Sequence, residues 1–139
     1  MFVCVGNTCR SQMAEALARH LASDVIEATS AGLVPLGEIV APTREVLAEI
    51  GVGVDGQSSK PLRPEDLNGA DLIVNLTGRS SESVFRGDRN KVEDWKVSDP
   101  YGEDLDVYRH IRDEIEGRVR ELADGIRTKD EGRRSGNAD

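Results

Sequence analysis

Apolar and polar residues follow two different periodicities along this chain, and the positions where the periodicity changes mark the boundaries of the predicted elements. Met1 to Val5 is a short apolar run that ends at Gly6 and Asn7, as expected of a buried strand that runs into a turn. From Ser11 to Ala22 the apolar residues recur every three or four positions, which predicts an amphipathic helix. The chain therefore opens with a strand, a turn and a helix.

The same two patterns, short apolar runs and apolar residues at helical spacing, recur through the rest of the chain. Strands are predicted where short apolar runs are bounded by Gly, Pro or Asn, and helices where apolar positions follow the helical period. The clearest strand is Ala70–Leu76 and the longest helix is Leu105–Ile126. The other predicted elements are a strand over Val25–Ala31, a helix that starts at Pro42 and stops at Gly51, short helical segments over Pro64–Asn68 and Ser80–Phe85, and a last strand over Val92–Trp95.

Strands that alternate with helices predict the fold class. Over residues 1–126 we expect a doubly wound α/β domain, with a four-stranded parallel sheet and helices on both faces. Residues 127–139 are charged or small and include no large apolar side chain, so we expect a disordered tail there. Ligands in such folds bind at the carboxyl ends of strands, near a reversal of strand order. The turn after the first strand is therefore the first candidate site.

Composition and charge narrow the class of partner. The chain has 139 residues, of which 37% are apolar, which suffices for one domain with a continuous core. No apolar run approaches the ~20 residues that span a bilayer, and no basic-then-apolar leader precedes the first strand, so we expect a soluble cytoplasmic protein. Its net charge of -8 disfavours nucleic acid and anionic membranes as partners. A small anionic substrate would need a local cluster of donors.

The cysteines and histidines point away from a metal site. Cys4 and Cys9 have a spacing that fits neither a secreted disulfide framework nor the usual zinc sites. His20 and His110 fall in predicted helices without a partner at ligand spacing, so we expect them at the surface. We therefore expect no metal and no other cofactor, and the cysteines need another explanation.

The segment from Cys4 to Ser11 has the form Cys-x5-Arg-Ser between a predicted strand and a predicted helix. A loop of this length at a helix N-terminus can turn successive backbone N–H groups inward and bind a phosphate-sized anion, and the helix dipole adds to the attraction. Gly6 and Asn7 tolerate the positive φ that such a curl requires. The predicted phosphate-binding residues are Val5, Gly6, Asn7, Thr8, Cys9, Arg10 and Ser11.

Three residues are predicted to carry a reaction. The positive field of the loop favours the thiolate form of Cys4, which makes it a nucleophile, and Ser11 can hydrogen-bond that thiolate. Arg10 presents two planar donors that match two phosphoryl oxygens, most usefully when charge shifts onto them in the transition state. The leaving oxygen needs a general acid, and Asp99 in the Asp-Pro turn after the last strand is the candidate. This pattern predicts hydrolysis of phosphate esters.

The sequence around the loop resembles a known family. Val3 to Glu15, which reads VCVGNTCRSQMAE, is similar to the signature of the low-molecular-weight protein tyrosine phosphatases. Ser30-Ala31-Gly32 and Asp99-Pro100-Tyr101 also resemble that family, and the likeness extends from residue 1 to about 126. The resemblance implies a protein tyrosine phosphatase, with a phosphotyrosine protein or a small aryl phosphate as its substrate.

The resemblance also implies a role for each site residue. Cys4 would be the nucleophile that forms a cysteinyl-phosphate, and Arg10 would clamp the phosphate. Asp99 would be the acid and then the base that activates water. Asn7 and Ser30 would brace the loop.

Two other functions can use the same loop. Thiol-linked arsenate reductases share the superfamily, and Ser11–Glu15 and Gln57–Lys60 resemble them. The thioredoxin-coupled members need two further cysteines, but Thr77 stands where one is expected, so only reduction through an external small thiol or redoxin stays open. Cys9 matches a second cysteine with which some members protect the nucleophile as a disulfide. A module that binds an oxyanion and senses oxidation through Cys4 and Cys9 is the third possibility.

Overall fold

One parallel sheet forms the centre of the protein in the computed structural model, which describes residues 1–85 and 90–136, the last three without side chains. Within these ranges its strands are β1 (Phe2–Cys4), β2 (Ser30–Gly32), β3 (Ile73–Asn75) and β4 (Val92–Asp94), in the spatial order β2-β1-β3-β4. All three pairings are parallel. Because the chain goes from β1 to β2 on one side and then to β3 on the other, the strand order reverses between β1 and β3.

Helices connect these strands and cover them. Over the described ranges they are α1 (Arg10–Leu21), α2 (Ala41–Ala48), α3 (Pro64–Gly69), α4 (Ser81–Val84) and α5 (Leu105–Gly136). No helix in the described part of the chain combines the length and apolar character needed to cross a membrane. The alternation of strands and helices confirms the predicted α/β fold with a four-stranded parallel sheet.

Alternate strand residues supply two separate cores. Phe2, Cys4 and Val74 face the main core, which α1, α2 and α5 cover. Val3 and Ile73 face a smaller core, against which side chains of α3 and α4 pack. Both faces of the sheet are therefore covered by helices, as predicted. β1, β2 and β3 are buried, whereas Glu93 and Asp94 of the edge strand β4 are exposed.

The second strand is shorter than predicted because the chain turns before it extends. The N–H groups of Val25 and Ile26 both donate to the carbonyl of Ala22, at 3.1 and 2.8 Å. These bonds close a turn after α1. The apolar residues Val25 and Ile26, part of the predicted strand, lie in this turn. Of the predicted strand Val25–Ala31, Ser30 and Ala31 alone belong to β2, which pairs with β1 over Ser30–Gly32.

The C-terminal segment differs from the predicted disordered tail. α5 continues through residues 127–136, and residues 137–139 lie outside the described ranges. The Arg127 guanidinium donates to both carboxylate oxygens of Asp24, at 2.8 and 3.0 Å, and to the carbonyl of Leu21 at 3.3 Å. A polar contact thus holds the helix against the end of α1 at the start of a stretch that has no large apolar side chain.

Candidate active site

The loop between β1 and α1 lies beside the reversal of strand order. Cys4 is the buried last residue of β1, and α1 begins at Arg10. Asn7 has a φ of 50°, the one positive value at a residue other than glycine in the described ranges. Gly6 does not share it, contrary to expectation; a Cβ there would lie 3.2 Å from Cγ of Leu36. Asn7 therefore makes the turn, and Gly6 leaves room for a neighbouring segment.

Every carbonyl group from Cys4 to Cys9 accepts a hydrogen bond from another part of the protein, whereas the N–H groups from Val5 to Arg10 donate to no acceptor in the described residues. In an anion-binding nest the carbonyl groups point outward and are hydrogen-bonded to the protein, and the amide groups have no acceptor within the protein. The loop has this arrangement. The donors are the N–H groups of Leu33, Val34, Leu36 and Met13, the side-chain amide of Gln12, and the hydroxyls of Ser59 and Thr43, at 2.9 to 3.2 Å.

Buried hydrogen bonds lead from the Cys4 thiol into the protein. Sγ of Cys4 lies 2.8 Å from Oγ of Ser11, and Nδ2 of Asn7 donates to Oγ of Ser11 at 2.8 Å and of Ser30 at 3.0 Å. The Ser30 hydroxyl donates to Oε1 of Glu15 at 2.6 Å. Because the Asn7 amide nitrogen only donates, the Ser11 hydroxyl accepts from it and keeps its own proton for Cys4. Ser11 is thus placed to donate to a thiolate.

Arg10 and Asp99 meet at the edge of the same loop. Nη1 of Arg10 donates to the carbonyl of Val97 at 3.1 Å, and Nη2 lies 3.6 Å from Oδ2 of Asp99. The Arg10 side chain is buried, whereas that of Asp99 is 52% exposed. The N–H of Tyr101 donates to Oδ1 of Asp99 at 3.0 Å, which fixes the carboxylate in its turn. The guanidinium is therefore held against the carbonyl of Val97 at the edge of the loop, with a carboxylate open to solvent beside it.

A cavity of about 240 Å³ brings these groups together. Its lining includes Cys4, Arg10 and Asp99 with residues of the loop, and three apolar side chains stand around its opening. A larger cavity of about 420 Å³ lies near the opposite end of the strands and includes none of the predicted site residues. The apolar side chains at the opening are Val34, Leu36 and Tyr101, which are 63%, 51% and 55% exposed.

Comparison with known proteins identifies the family. The sequence model described as "Low molecular weight phosphotyrosine protein phosphatase" matches residues 1–132. The chain belongs to the low-molecular-weight phosphotyrosine protein phosphatase family. The resemblance stated from the sequence is thereby confirmed.

Relatives within this phosphatase family have more than one named activity. The glutaredoxin arsenate reductase of Synechocystis is 36% identical over 131 residues, which cover 88% of this chain and 93% of the relative. The YwlE arginine phosphatase of Geobacillus stearothermophilus has a TM-score of 0.82 at 30% identity, and the match covers 92% of each chain. An arsenate reductase solved in a phosphate-binding state has a TM-score of 0.77 at 32% identity, covering 91% and 96%. The family setting thus supports phosphatase chemistry and oxyanion binding.

The sequence reasoning missed several residues that hold the phosphatase loop. Gln12, Thr43 and Ser59 supply hydrogen bonds to its carbonyls, yet none was among the predicted site residues. Gln12 lies within the signature from Val3 to Glu15, and Ser59 lies within the stretch Gln57–Lys60 that resembles the arsenate reductases, so either resemblance could have marked its residue. Thr43 is a single hydroxyl far along the chain, and no local pattern distinguishes it.

Cys9 differs from Cys4 in its surroundings. Its thiol lies 3.5 Å from the Tyr108 hydroxyl, and burial raises the pKa of both groups. Cys9 is therefore a neutral thiol at neutral pH, and we expect iodoacetamide to alkylate Cys4 first. Inorganic phosphate should protect Cys4. Fragment-ion mass spectrometry of the labelled protein checks this, and faster labelling of Cys9 would contradict it.

Gly32 lies directly behind the phosphatase loop. A Cβ at this position would come within 2.8 Å of Cβ of Asn7 and 2.9 Å of the backbone oxygen of Val5. We expect Gly32→Ala to lower the free energy of unfolding by about 1 to 3 kcal/mol, as overpacking does, and to lower kcat/KM because the loop shifts. Urea unfolding and turnover measure both effects. Gly53→Ala, which meets nothing within 4 Å, is the control, and equal results for the two variants would refute the argument.

Proposed function

We propose that this protein is a cysteine-dependent phosphatase that hydrolyses phosphotyrosine through a cysteinyl-phosphate on Cys4. The observation that carries the proposal is the loop from Val5 to Arg10, whose amides have no protein acceptor in the described residues and which lies beside the Cys4 thiol. Such a loop at a helix N-terminus binds a tetrahedral anion with its phosphorus next to the sulfur.

In the first step the Cys4 thiolate attacks phosphorus and the bond to the leaving oxygen breaks. The Arg10 guanidinium and the loop amides bind the phosphoryl oxygens, on which negative charge develops. Asp99, as the carboxylic acid, gives its proton to the leaving oxygen. The products are a cysteinyl-phosphate and the free hydroxyl of the substrate.

In the second step water hydrolyses the cysteinyl-phosphate. The Asp99 carboxylate takes a proton from the water as its oxygen attacks phosphorus, and the sulfur–phosphorus bond breaks. Cys4 leaves as a thiolate, which the Ser11 hydroxyl at 2.8 Å stabilises by donating a hydrogen bond. Inorganic phosphate is released, and Asp99 is again protonated for the next cycle.

The opening of the cavity supports an aromatic leaving group. Val34, Leu36 and Tyr101 are exposed there, and an aromatic ring packed between them would be removed from water. A serine phosphate carries no ring that could pack against these side chains. Phosphoarginine is the alternative substrate, because the Geobacillus relative is named an arginine phosphatase.

Hydrolysis of matched phosphopeptides tests the proposal. Peptides of one flanking sequence would contain phosphotyrosine, phosphoarginine or phosphoserine, with para-nitrophenyl phosphate as the small aryl substrate. We expect release of phosphate from phosphotyrosine and para-nitrophenyl phosphate, and little from phosphoserine. A preference for phosphoarginine would contradict the proposed substrate but would be consistent with the proposed cysteinyl-phosphate mechanism. No release from any of them, by fully reduced protein, would overturn the proposal.

Arsenate reduction is a second candidate, supported by the similarity to the Synechocystis reductase. The sequence has two cysteines, Cys4 and Cys9, so the reductant would be an external thiol. Thr77 stands where a further cysteine would be needed, and its buried hydroxyl donates to Oδ1 of Asn75 at 2.7 Å. The Cys4 thiolate would add to arsenate with loss of water; a small thiol would then attack the sulfur, arsenite would leave with two electrons, and a second thiol would reduce the mixed disulfide. Absence of arsenite in assays with glutathione and glutaredoxin would exclude it.

A further inference from the structure

A segment far along the chain lies against the back of the phosphate loop. We call this segment, residues 57–60, the strap. The backbone N–H of Lys60 donates to Oδ1 of Asn7 at 2.9 Å, and the Ser59 hydroxyl donates to the carbonyl of Gly6 at 3.2 Å. No strap residue lines the cavity that includes Cys4. The strap therefore touches the loop without touching the place where substrate would lie.

Gln12 joins the strap to the turn of the loop. Its side chain is fully buried, and Nε2 donates to the carbonyl of Asn7 at 3.0 Å and of Ser58 at 2.9 Å. Nε2 of Gln57 donates to Oε1 of Gln12 at 2.9 Å and to its backbone carbonyl at 3.2 Å. Because only the oxygen of a side-chain amide accepts, Gln57 fixes which end of Gln12 faces Asn7.

Ser59 joins the loop to the opening of the cavity. Its hydroxyl donates to the carbonyl of Gly6 and accepts from the N–H of Gly37, both at 3.2 Å. Gly37 follows Leu36, one of the three apolar residues at the opening. One hydroxyl thus connects the anion-binding loop with a wall of the substrate cavity.

The bound carbonyls decide where the loop amides point. The carbonyl of one residue and the N–H of the next belong to one planar peptide unit and point in opposite directions. Ser59 and the N–H of Leu36, at 3.2 and 3.0 Å, hold the carbonyl of Gly6 outward and so keep the N–H of Asn7 on the anion side. Gln12, by holding the carbonyl of Asn7 outward, does the same for the N–H of Thr8.

We propose that Gln12, the Gln57 side chain, the Ser59 hydroxyl and the strap backbone are positioning elements that set the affinity of the loop for a tetrahedral oxyanion, whereas the Ser58 hydroxyl takes no part. They act through the peptide units of Gly6 and Asn7 and make no contact with the reacting atoms. This inference rests on the proposed function, because it assumes that the loop binds the phosphoryl group. It adds that a hydroxyl 53 residues from Gly6, that of Ser59, contributes to the strength of binding.

Two neighbouring serines of the strap provide a matched test. The Ser58 hydroxyl makes no hydrogen bond in the described part of the chain, whereas the Ser59 hydroxyl makes two. Inorganic phosphate would be measured as a competitive inhibitor of para-nitrophenyl phosphate hydrolysis. We expect Ser59→Ala to raise its inhibition constant roughly threefold to tenfold, the scale of one or two hydrogen bonds, and Ser58→Ala to leave it unchanged. Ser59→Thr keeps the hydroxyl and should restore the native constant.

A second variant makes the test independent of Ser59. Gln12→Met keeps a long buried side chain and removes both donors to the loop and strap, so we expect a larger rise in the phosphate inhibition constant. Circular dichroism melting would establish that each variant is folded at the assay temperature. Lower melting temperatures with unchanged inhibition constants, or equal constants for Ser58→Ala and Ser59→Ala, would overturn the positioning role. A native protein that neither turns over nor binds phosphate would instead overturn the proposed function.

Discussion

Replacement of Cys4 by serine is expected to abolish turnover while the loop still binds phosphate. Serine has nearly the same shape, so the backbone of the loop and its contact with Ser11 should persist. A hydroxyl stays protonated at neutral pH and is a far weaker nucleophile than a thiolate. We expect kcat to fall on the order of a thousandfold or more, as when a catalytic nucleophile is removed from other enzymes.

Two measurements on the same Cys4→Ser preparation separate chemistry from binding. Hydrolysis of para-nitrophenyl phosphate reports the nucleophile, and calorimetric titration with inorganic phosphate reports the loop. Retained phosphate affinity is the internal control, because a misfolded variant would lose both. Turnover within tenfold of the native protein would show that Cys4 is not the nucleophile, and another group would have to be sought in the cavity.

The local part of the site could be predicted because its determinants are adjacent in sequence. An apolar run, a residue that tolerates positive φ and a helical pattern follow one another from Met1 to Ala22, and the structure has β1, a turn at Asn7 and α1 in that order. Asp99 and Arg10 are far apart in sequence, and their proximity could be predicted only from the fold. The carboxyl ends of parallel strands share one edge of the sheet.

The remainder depends on contacts that no periodic pattern encodes. Thr43 and Ser59 reach the loop from segments that are distant in sequence, and each contributes one hydroxyl. Arg127 contacts Asp24 from a part of α5 for which disorder is predicted because it has no large apolar side chain. Hydrogen bonds of this kind depend on the tertiary structure, and the spacing of apolar residues along the sequence does not predict them.

Phosphatase and reductase chemistry diverge after the first bond to Cys4 has formed. In a phosphatase, water must attack the phosphorus, and a base has to lie near that water. In a reductase, a thiol attacks the sulfur. In the mechanism we propose, that base is the exposed carboxylate of Asp99, which lies 3.6 Å from Nη2 of Arg10. The behaviour of Asp99 variants therefore bears directly on which chemistry the site performs.

Asp99→Asn is expected to slow hydrolysis by roughly a hundredfold to ten-thousandfold, the usual contribution of a positioned general acid and base. The loss should depend on the leaving group. Phenolate, a poor leaving group, needs the proton that Asp99 supplies, whereas para-nitrophenolate leaves more readily without it. Stopped-flow kinetics would follow the initial burst of phenol from phenyl phosphate and of para-nitrophenol from para-nitrophenyl phosphate. We expect the burst rate to fall more for phenyl phosphate.

Phosphate affinity distinguishes this role of Asp99 from a structural one. The carboxylate lies beside Arg10 and repels an anion, so its replacement by an amide should leave phosphate binding intact or strengthen it. Glu103→Gln, which neutralises an exposed carboxylate in the same loop region without lining the cavity, is the matched control and should retain native turnover. If Asp99→Asn slowed both leaving groups equally, or weakened phosphate binding, the carboxylate would be holding the loop in place, and the acid would have to come from solvent.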